Sequence, residues 1–162
     1  MNRACRIEVG KHTDVPEILV LMRQYWTFES IEGFDAGQLS QLLKRLLSQP
    51  HLGSVWVARE SDVMVGYLIV VLALSLEHQG IVAEIDEVFV VPQARGCGIG
   101  VALVEAAESA LALAGCPFIQ LQLGVGNDAA RAFYNRRGYA PRTRFELLGK
   151  VLAASAGGES GH

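Results

Sequence analysis

Residues Val88 to Gly100 limit the folds open to this chain more than any other stretch. A β-type apolar run, Val88-Phe89-Val90-Val91, meets Pro92. A turn with glycine at alternate positions, Gly96, Gly98 and Gly100, then opens an alanine-rich helical pattern. A strand must therefore feed a helix through a tight loop whose backbone N–H groups are unshielded, at the positive end of the helix dipole. Such a loop is a cradle for an anion the size of pyrophosphate. Its spacing is not that of either common nucleotide loop. G-x-G-x-x-G fails because Val101 and Leu103 stand three residues beyond Gly98 and Gly100, and G-K-[ST] fails because Val101 and Ala102 follow Gly100.

The pattern that fits is R-x-x-G-x-G, set by Arg95, Gly98 and Gly100. A second block, Asn127 to Tyr139, matches N-x-x-A-x-x-F-Y-x-x-x-G-[FY] at Asn127, Ala130, Phe133, Tyr134, Gly138 and Tyr139. On these two blocks the chain resembles the GNAT superfamily, the acyl-CoA-dependent N-acyltransferases, over residues 3 to 150. The resemblance implies an α/β (α+β) fold: a mixed, mostly antiparallel central sheet of six to seven strands flanked by about four helices. It implies one acetyltransferase domain over 1–150, followed by a flexible tail over 151–162. It also implies acetyl-CoA as cosubstrate and a small-molecule or peptide amine as acceptor.

Composition agrees with a globular domain. The chain has 162 residues, 51% hydrophobic and 19% charged, enough for one domain with a core. The run Val63 to Leu76 is too short for a membrane span, and Met1 to Arg6 is not followed by a signal-peptide apolar core. A net charge of −3 argues against a nucleic-acid surface. Cys5, Cys97 and Cys116 lack metal spacing, and His12, His51, His78 and His162 are scattered. The expectation is a cytoplasmic protein with reduced thiols and no metal, no membrane partner and no nucleic acid. A homodimer is left open.

Element signals run β-α-α-β-β-β-α-β-α-β. Strands are expected at Arg3–Val9, Ser54–Arg59, Val63–Leu74, Ala83–Val91, Phe118–Leu123 and Arg144–Leu148. A helix starts at Asp14, with Pro16 in its first turn and Glu17 three residues on, and runs to about Trp26. Asp35 and Gln38 suggest a capping box, and Leu39, Leu42, Leu43, Leu46 and Leu47 form one stripe that ends before Pro50. The helix after Arg95 carries Leu103, Ala107, Leu111 and Ala114, and stops at Gly115. Asn127 caps the last helix, which Gly138 ends. Ala153 to His162 reads as a frayed tail.

The resemblance assigns roles to particular residues. Backbone amides of Arg95, Gly96, Cys97, Gly98, Ile99 and Gly100 would hold the pyrophosphate. Arg95 either adds charge-assisted bonds or fixes the loop. The backbone of Val88, Phe89 and Val90 would pair with the pantetheine arm as an added strand, while their side chains serve the core. Asn127 would hydrogen-bond coenzyme A as well as cap its helix. Tyr134 would ordinarily be a packing residue; within the signature it protonates the leaving thiolate, a phenol near pKa 10 against a thiol of about 8.5. Cys97, at a variable position, has no catalytic role.

An amine acceptor must lose a proton before it attacks, at a cost of about 4.6 kcal/mol at pH 7 for a pKa near 10.4. A carboxylate would accept it. Strand alternation sets Glu84 and Asp86 on one face and Glu87 with Ile85 on the other. The resemblance implies a carboxylate base at either of the first two positions, so Glu84 or Asp86 is the expected base. Tyr25, Trp26, Phe28, Glu29, Glu32, Phe34, Glu77 and His78 supply the region that governs acceptors in the family, where aromatics and acids suit a cationic amine. The rival readings are a non-catalytic acyl-CoA-binding sensor of the same fold and a nucleotide-binding module.

Overall fold

The computed structural model describes residues 4–153. The chain divides into two compact units, Met1–Gly124 and Val125–His162. In the first, β1 (Cys5–Val9), β2 (Gly53–Glu60), β3 (Val63–Ser75) and β4 (Gly80–Val90) pair antiparallel in sequence order, and the short β5 (Ile119–Leu121) joins β4 in parallel. The sheet is mixed and mostly antiparallel, as expected from the sequence. Tight turns close the hairpins, with Ser61 (φ 56) between β2 and β3 and Gln79 (φ 54) between β3 and β4.

Strand pairing identifies the faces of the sheet. Tyr67 lies opposite Phe89 and Gly66 opposite Val90, so these two pairs point to opposite sides. Tyr25 of α1 (Val15–Phe28) sits 6.1 Å from Phe89, ring centre to ring centre. A Cβ on Gly66 would meet Leu103 of α3 (Ile99–Leu113) at 3.4 Å and the Phe89 carbonyl oxygen at 2.9 Å. The helices α1 and α3 therefore cover opposite faces, and Gly66 allows α3 its close approach. Between them lie Val55, Val57, Leu68 and Val70 of the sheet, Val15 and Ile18 of α1, and Leu103 and Val104 of α3, all fully buried. Each such side chain contributes about 1.5–3 kcal/mol. The α2 helix (Ala36–Ser48) packs on α1 and β2. Asp35 caps it, its Oδ1 accepting from the Gln38 N–H at 3.0 Å.

Asp14 does not cap α1 as its position suggests. It closes a 3-10 turn, His12–Asp14, and its Oδ2 accepts from the Lys11 N–H (2.8 Å). Its Oδ1 lies 2.7 Å from Arg59 Nη2, which also reaches Glu17 Oε1 at 2.9 Å. A half-buried guanidinium on β2 competes for that carboxylate more strongly than a helix amide does.

In the second unit, α4 (Asp128–Asn135) begins at Asn127, whose Oδ1 accepts from the Ala130 N–H at 3.1 Å. Gly138 (φ 87) follows its end. The expected strand Arg144–Leu148 is not a strand. Phe145, Leu147 and Leu148 are exposed, and the Phe145 N–H bonds to the Arg142 carbonyl across a turn. Side-chain pattern favours an extended chain, but only a neighbouring ladder makes a strand. The described residues thus hold five strands rather than six to seven, with the expected four helices. Arg3 and most of the expected tail, 154–162, lie outside the described residues. No helix among the described residues is long and apolar enough to cross a membrane.

Candidate active site

The sheet opens at β4. Ala83, Glu84 and Ile85 pair with Ile119, Gln120 and Leu121, and no ladder joins the two strands beyond them. The next residue, Asp86, is a β-bulge: Ile85 lies opposite Val70 and Glu87 opposite Ile69, which leaves Asp86 unpaired. A bulge bends and twists its strand away from its neighbour. From Glu87 to Val90 the edge of β4 that faces β5 thus has no strand partner among the described residues. Phe89 is buried and Val88 and Val90 are half-buried, as core side chains should be.

The opening leads to the glycine loop. A short 3-10 turn, Pro92–Ala94, separates β4 from Arg95, and α3 begins at Ile99. Gly96 (φ 80) and Gly98 (φ 79) both hold the left-handed conformation. Nothing within 4 Å would meet a Cβ at either, so the backbone is bare above an open space. The first bond within α3 runs from the Ala102 N–H to the Gly98 carbonyl, which leaves the amides of Ile99, Gly100 and Val101 without helical acceptors. Unpaired amides at a helix start can accept an anion. The Arg95 Nε donates to the Val90 carbonyl at 2.8 Å, and its guanidinium lies 5.4 Å from the Phe28 and Phe89 rings. These contacts fasten the loop to the end of β4. Cys97 is exposed and its Sγ lies 3.8 Å from the Arg95 carbonyl oxygen.

The bulge overturns the expected alternation of the three carboxylates. Paired residues share a face, and Glu84 lies opposite Val71 while Glu87 lies opposite Ile69; Val71 and Ile69 are two apart on β3. Glu84 and Glu87 therefore share the α1 face, Ile85 turns to the other, and Asp86 is the extra residue. Glu84 is held by two amides, Gln120 Nε2 at 3.0 Å and Gln122 Nε2 at 3.3 Å. Asp86 has no hydrogen-bond partner among the described residues, and partial loss of hydration followed by the charge of Glu84 raises its pKa. Glu87, which sequence reasoning set aside, accepts from Trp26 Nε1 (2.8 Å) and from the Tyr67 hydroxyl (2.9 Å). Burial raises its pKa while both donors oppose the rise. Only a bulge signal could have found it, and none is visible in Glu84-Ile85-Asp86-Glu87.

Of the acceptor-side residues, the α1 group comes together. Trp26 meets Phe34 edge-on at 5.4 Å, Arg23 lies over Phe34 at 4.4 Å, and Tyr25 and Phe28 reach Phe89 and Arg95. Glu29 and Glu32 are exposed on the loop after α1. Glu77 and His78 do not join them. They occupy the tip of the β3–β4 hairpin, where His78 stacks on Phe118 at 4.0 Å, about 20 Å along β4 from Glu87.

In the second unit Tyr134 is buried, with Phe133 at 5.0 Å and Tyr139 at 5.2 Å, and burial pushes its pKa up to about 12. The carbonyl oxygen of Asn127 is engaged by the cap, which leaves its amide N–H groups as further donors. No group of His, Cys, Asp and Glu that could hold a metal ion gathers among the described residues.

The chain is similar to known proteins. The chain is 35% identical over 93 residues to the IAA acetyltransferase of Azospirillum brasilense, a match covering 57% of this chain and 58% of that one. It is 34% identical over 116 residues to the peptidyl-lysine N-acetyltransferase YjaB of Escherichia coli, covering 70% and 67%. The crystal structure of integron cassette protein HFX_CASS3, from a salt-marsh metagenome, superposes with a TM-score of 0.80 at 28% identity, covering 91% of each chain. The sequence profile described as the Acetyltransferase (GNAT) family matches residues 17–139, most of the chain, and the protein belongs to that family.

Proposed function

We propose that this enzyme moves an acetyl group from acetyl-CoA to a primary amine, on a small molecule or a peptide, by direct attack in a ternary complex. The observation that supports it most is the opening of the sheet after Ile85, which leads straight to the bare glycine loop. When bound, acetyl-CoA supplies an activated thioester carbonyl. The free edge over Val88, Phe89 and Val90 receives the pantetheine arm as an added strand. The amides from Arg95 to Gly100 take the pyrophosphate, and Arg95 holds the loop in shape. Asn127 is assigned a bond to coenzyme A by the signature that it opens.

Of the two expected bases, Asp86 suits the task better. Its carboxylate is free of hydrogen bonds among the described residues and partly dehydrated, whereas each oxygen of Glu84 already accepts one glutamine amide, which lowers its proton affinity. Asp86 takes the proton of the amine, directly or through water, and Glu84 keeps a negative charge beside it that favours the transfer. Tyr134 is assigned the donor role toward the departing sulfur by the signature it completes. With its pKa at about 12 the tyrosine stays protonated at every working pH. Full transfer to a thiolate of about 8.5 is uphill by about 5 kcal/mol, so Tyr134 serves chiefly as a hydrogen-bond donor. The free thiols of Cys5, Cys97 and Cys116 suit a reducing cytoplasm.

The test is a coenzyme A release assay with acetyl-CoA and a panel of amines, with mass spectrometry of the product. Acetylated amine is the expected result. Tight acetyl-CoA binding with no product from any amine would leave the non-catalytic sensor as the better account.

A further inference from the structure

Glu87 differs from its two acidic neighbours in being locked in place by neutral donors. Trp26 Nε1–H and the Tyr67 O–H each engage one carboxylate oxygen. Tyr67 is fully buried, its own ionisation strongly disfavoured by burial and by Glu87, so it remains a donor. Trp26 is fixed against Phe34. These contacts fix the direction of the carboxylate without neutralising its charge. Among the described residues Glu87 has no ion pair with any Lys, Arg or His. The guanidiniums on the same aromatic cluster are used elsewhere, Arg95 on the Val90 carbonyl and Arg23 over Phe34. A half-buried anion without a counter-charge is costly where packing alone is at stake. A carboxylate has about four lone-pair positions, and two are filled.

We propose that Glu87 is the recognition carboxylate of the acceptor site, and that the acceptor carries a second positive centre besides the amine that is acetylated. The proposal rests on the acetyltransferase reading above. The nitrogen that attacks has to be neutral, so it cannot supply a lasting counter-charge. A fixed anion beside the proton-accepting Asp86 pairs instead with a cation that persists through the reaction. Glu87 thus sets which amine is presented, and Asp86 handles its proton.

The experiment compares acceptors that differ only in the second charge: putrescine and cadaverine beside their amino-alcohol counterparts, in which one ammonium is replaced by a hydroxyl. With acetyl-CoA and the whole protein, kcat/KM for the diamines should exceed that for the amino alcohols by about tenfold or more, as a charged hydrogen bond predicts. In Glu87→Gln the preference should collapse to near unity, because the diamine KM rises far more than the amino-alcohol KM. A wild-type preference below about twofold would overturn the proposal, and this arm needs no variant to fold. So would an equal loss for both acceptor types in Glu87→Gln, which marks a merely structural role. If wild type acetylates no amine at all, the acetyltransferase reading fails and the proposal with it. Amino alcohols turned over as well as diamines would sink the proposal alone.

Discussion

Gly98 offers a test in which folding and binding separate. Its φ of 79 is left-handed, and an added Cβ would meet nothing within 4 Å. Gly98→Ala therefore suffers backbone strain of about 1–2 kcal/mol and no clash. Gly115, at the other end of α3, has a φ of 83 and the same open surroundings, so Gly115→Ala carries the same folding cost. For a domain of this size that is a fall in Tm of roughly 2–8 °C in either variant. The two should part when acetyl-CoA is titrated by calorimetry. A methyl group at Gly98 takes up part of the open space that a phosphate must enter to reach the loop amides. We expect at least tenfold weaker binding there, about 1.4 kcal/mol, and unchanged binding in Gly115→Ala. Equal affinities in two folded variants would show that the pyrophosphate lies elsewhere.

Asp86→Asn should lower kcat about a hundredfold and remove the acid limb of the rate profile, which in wild type lies above the ordinary carboxylate value because the pKa of Asp86 is raised. The sign for stability is opposite: a carboxyl with a raised folded pKa destabilises the fold once ionised. Asp86→Asn should therefore raise Tm at neutral pH, with the gain gone below about pH 3.9; a gain that persists in acid would mean the charge is not its source. Tyr134→Phe should lower kcat by roughly tenfold or more with acetyl-CoA affinity preserved, and wild-type turnover across the pH range would reduce Tyr134 to packing. Arg59→Met strands Asp14, whose side chain is 10% exposed, and should cost about 3 kcal/mol, seen as a Tm drop of roughly 6–12 °C. A drop within about 2 °C would mean that Asp14 is satisfied by the Lys11 amide alone.

Local chemistry made most elements legible in the sequence. Asn127 and Asp35 cap helices as their types predict, Gly115 and Gly138 lie just past helix ends in left-handed backbone, and the leucine stripe of α2 marks its length. The glycine loop was legible for the same reason, since a left-handed φ at Gly96 and Gly98 is a property of those residues alone. Other features depend on partners remote in sequence. Asp14 reads as a cap until Arg59, forty-five residues away, claims it. Arg144 to Leu148 reads as a strand, and among the described residues it has no ladder. The carboxylates of β4 show the limit most clearly. Period-two alternation puts Glu84 with Asp86, and the bulge opposite Ile69 and Val70 puts Glu84 with Glu87 instead. The sequence alone determined that a strand runs through a bare glycine turn into a helix, because those choices belong to each residue's own backbone. Which carboxylate is free and which is locked was decided by the tertiary structure, because a one-residue change of register depends on β3, and hydrogen-bond partners come from α1 and β5.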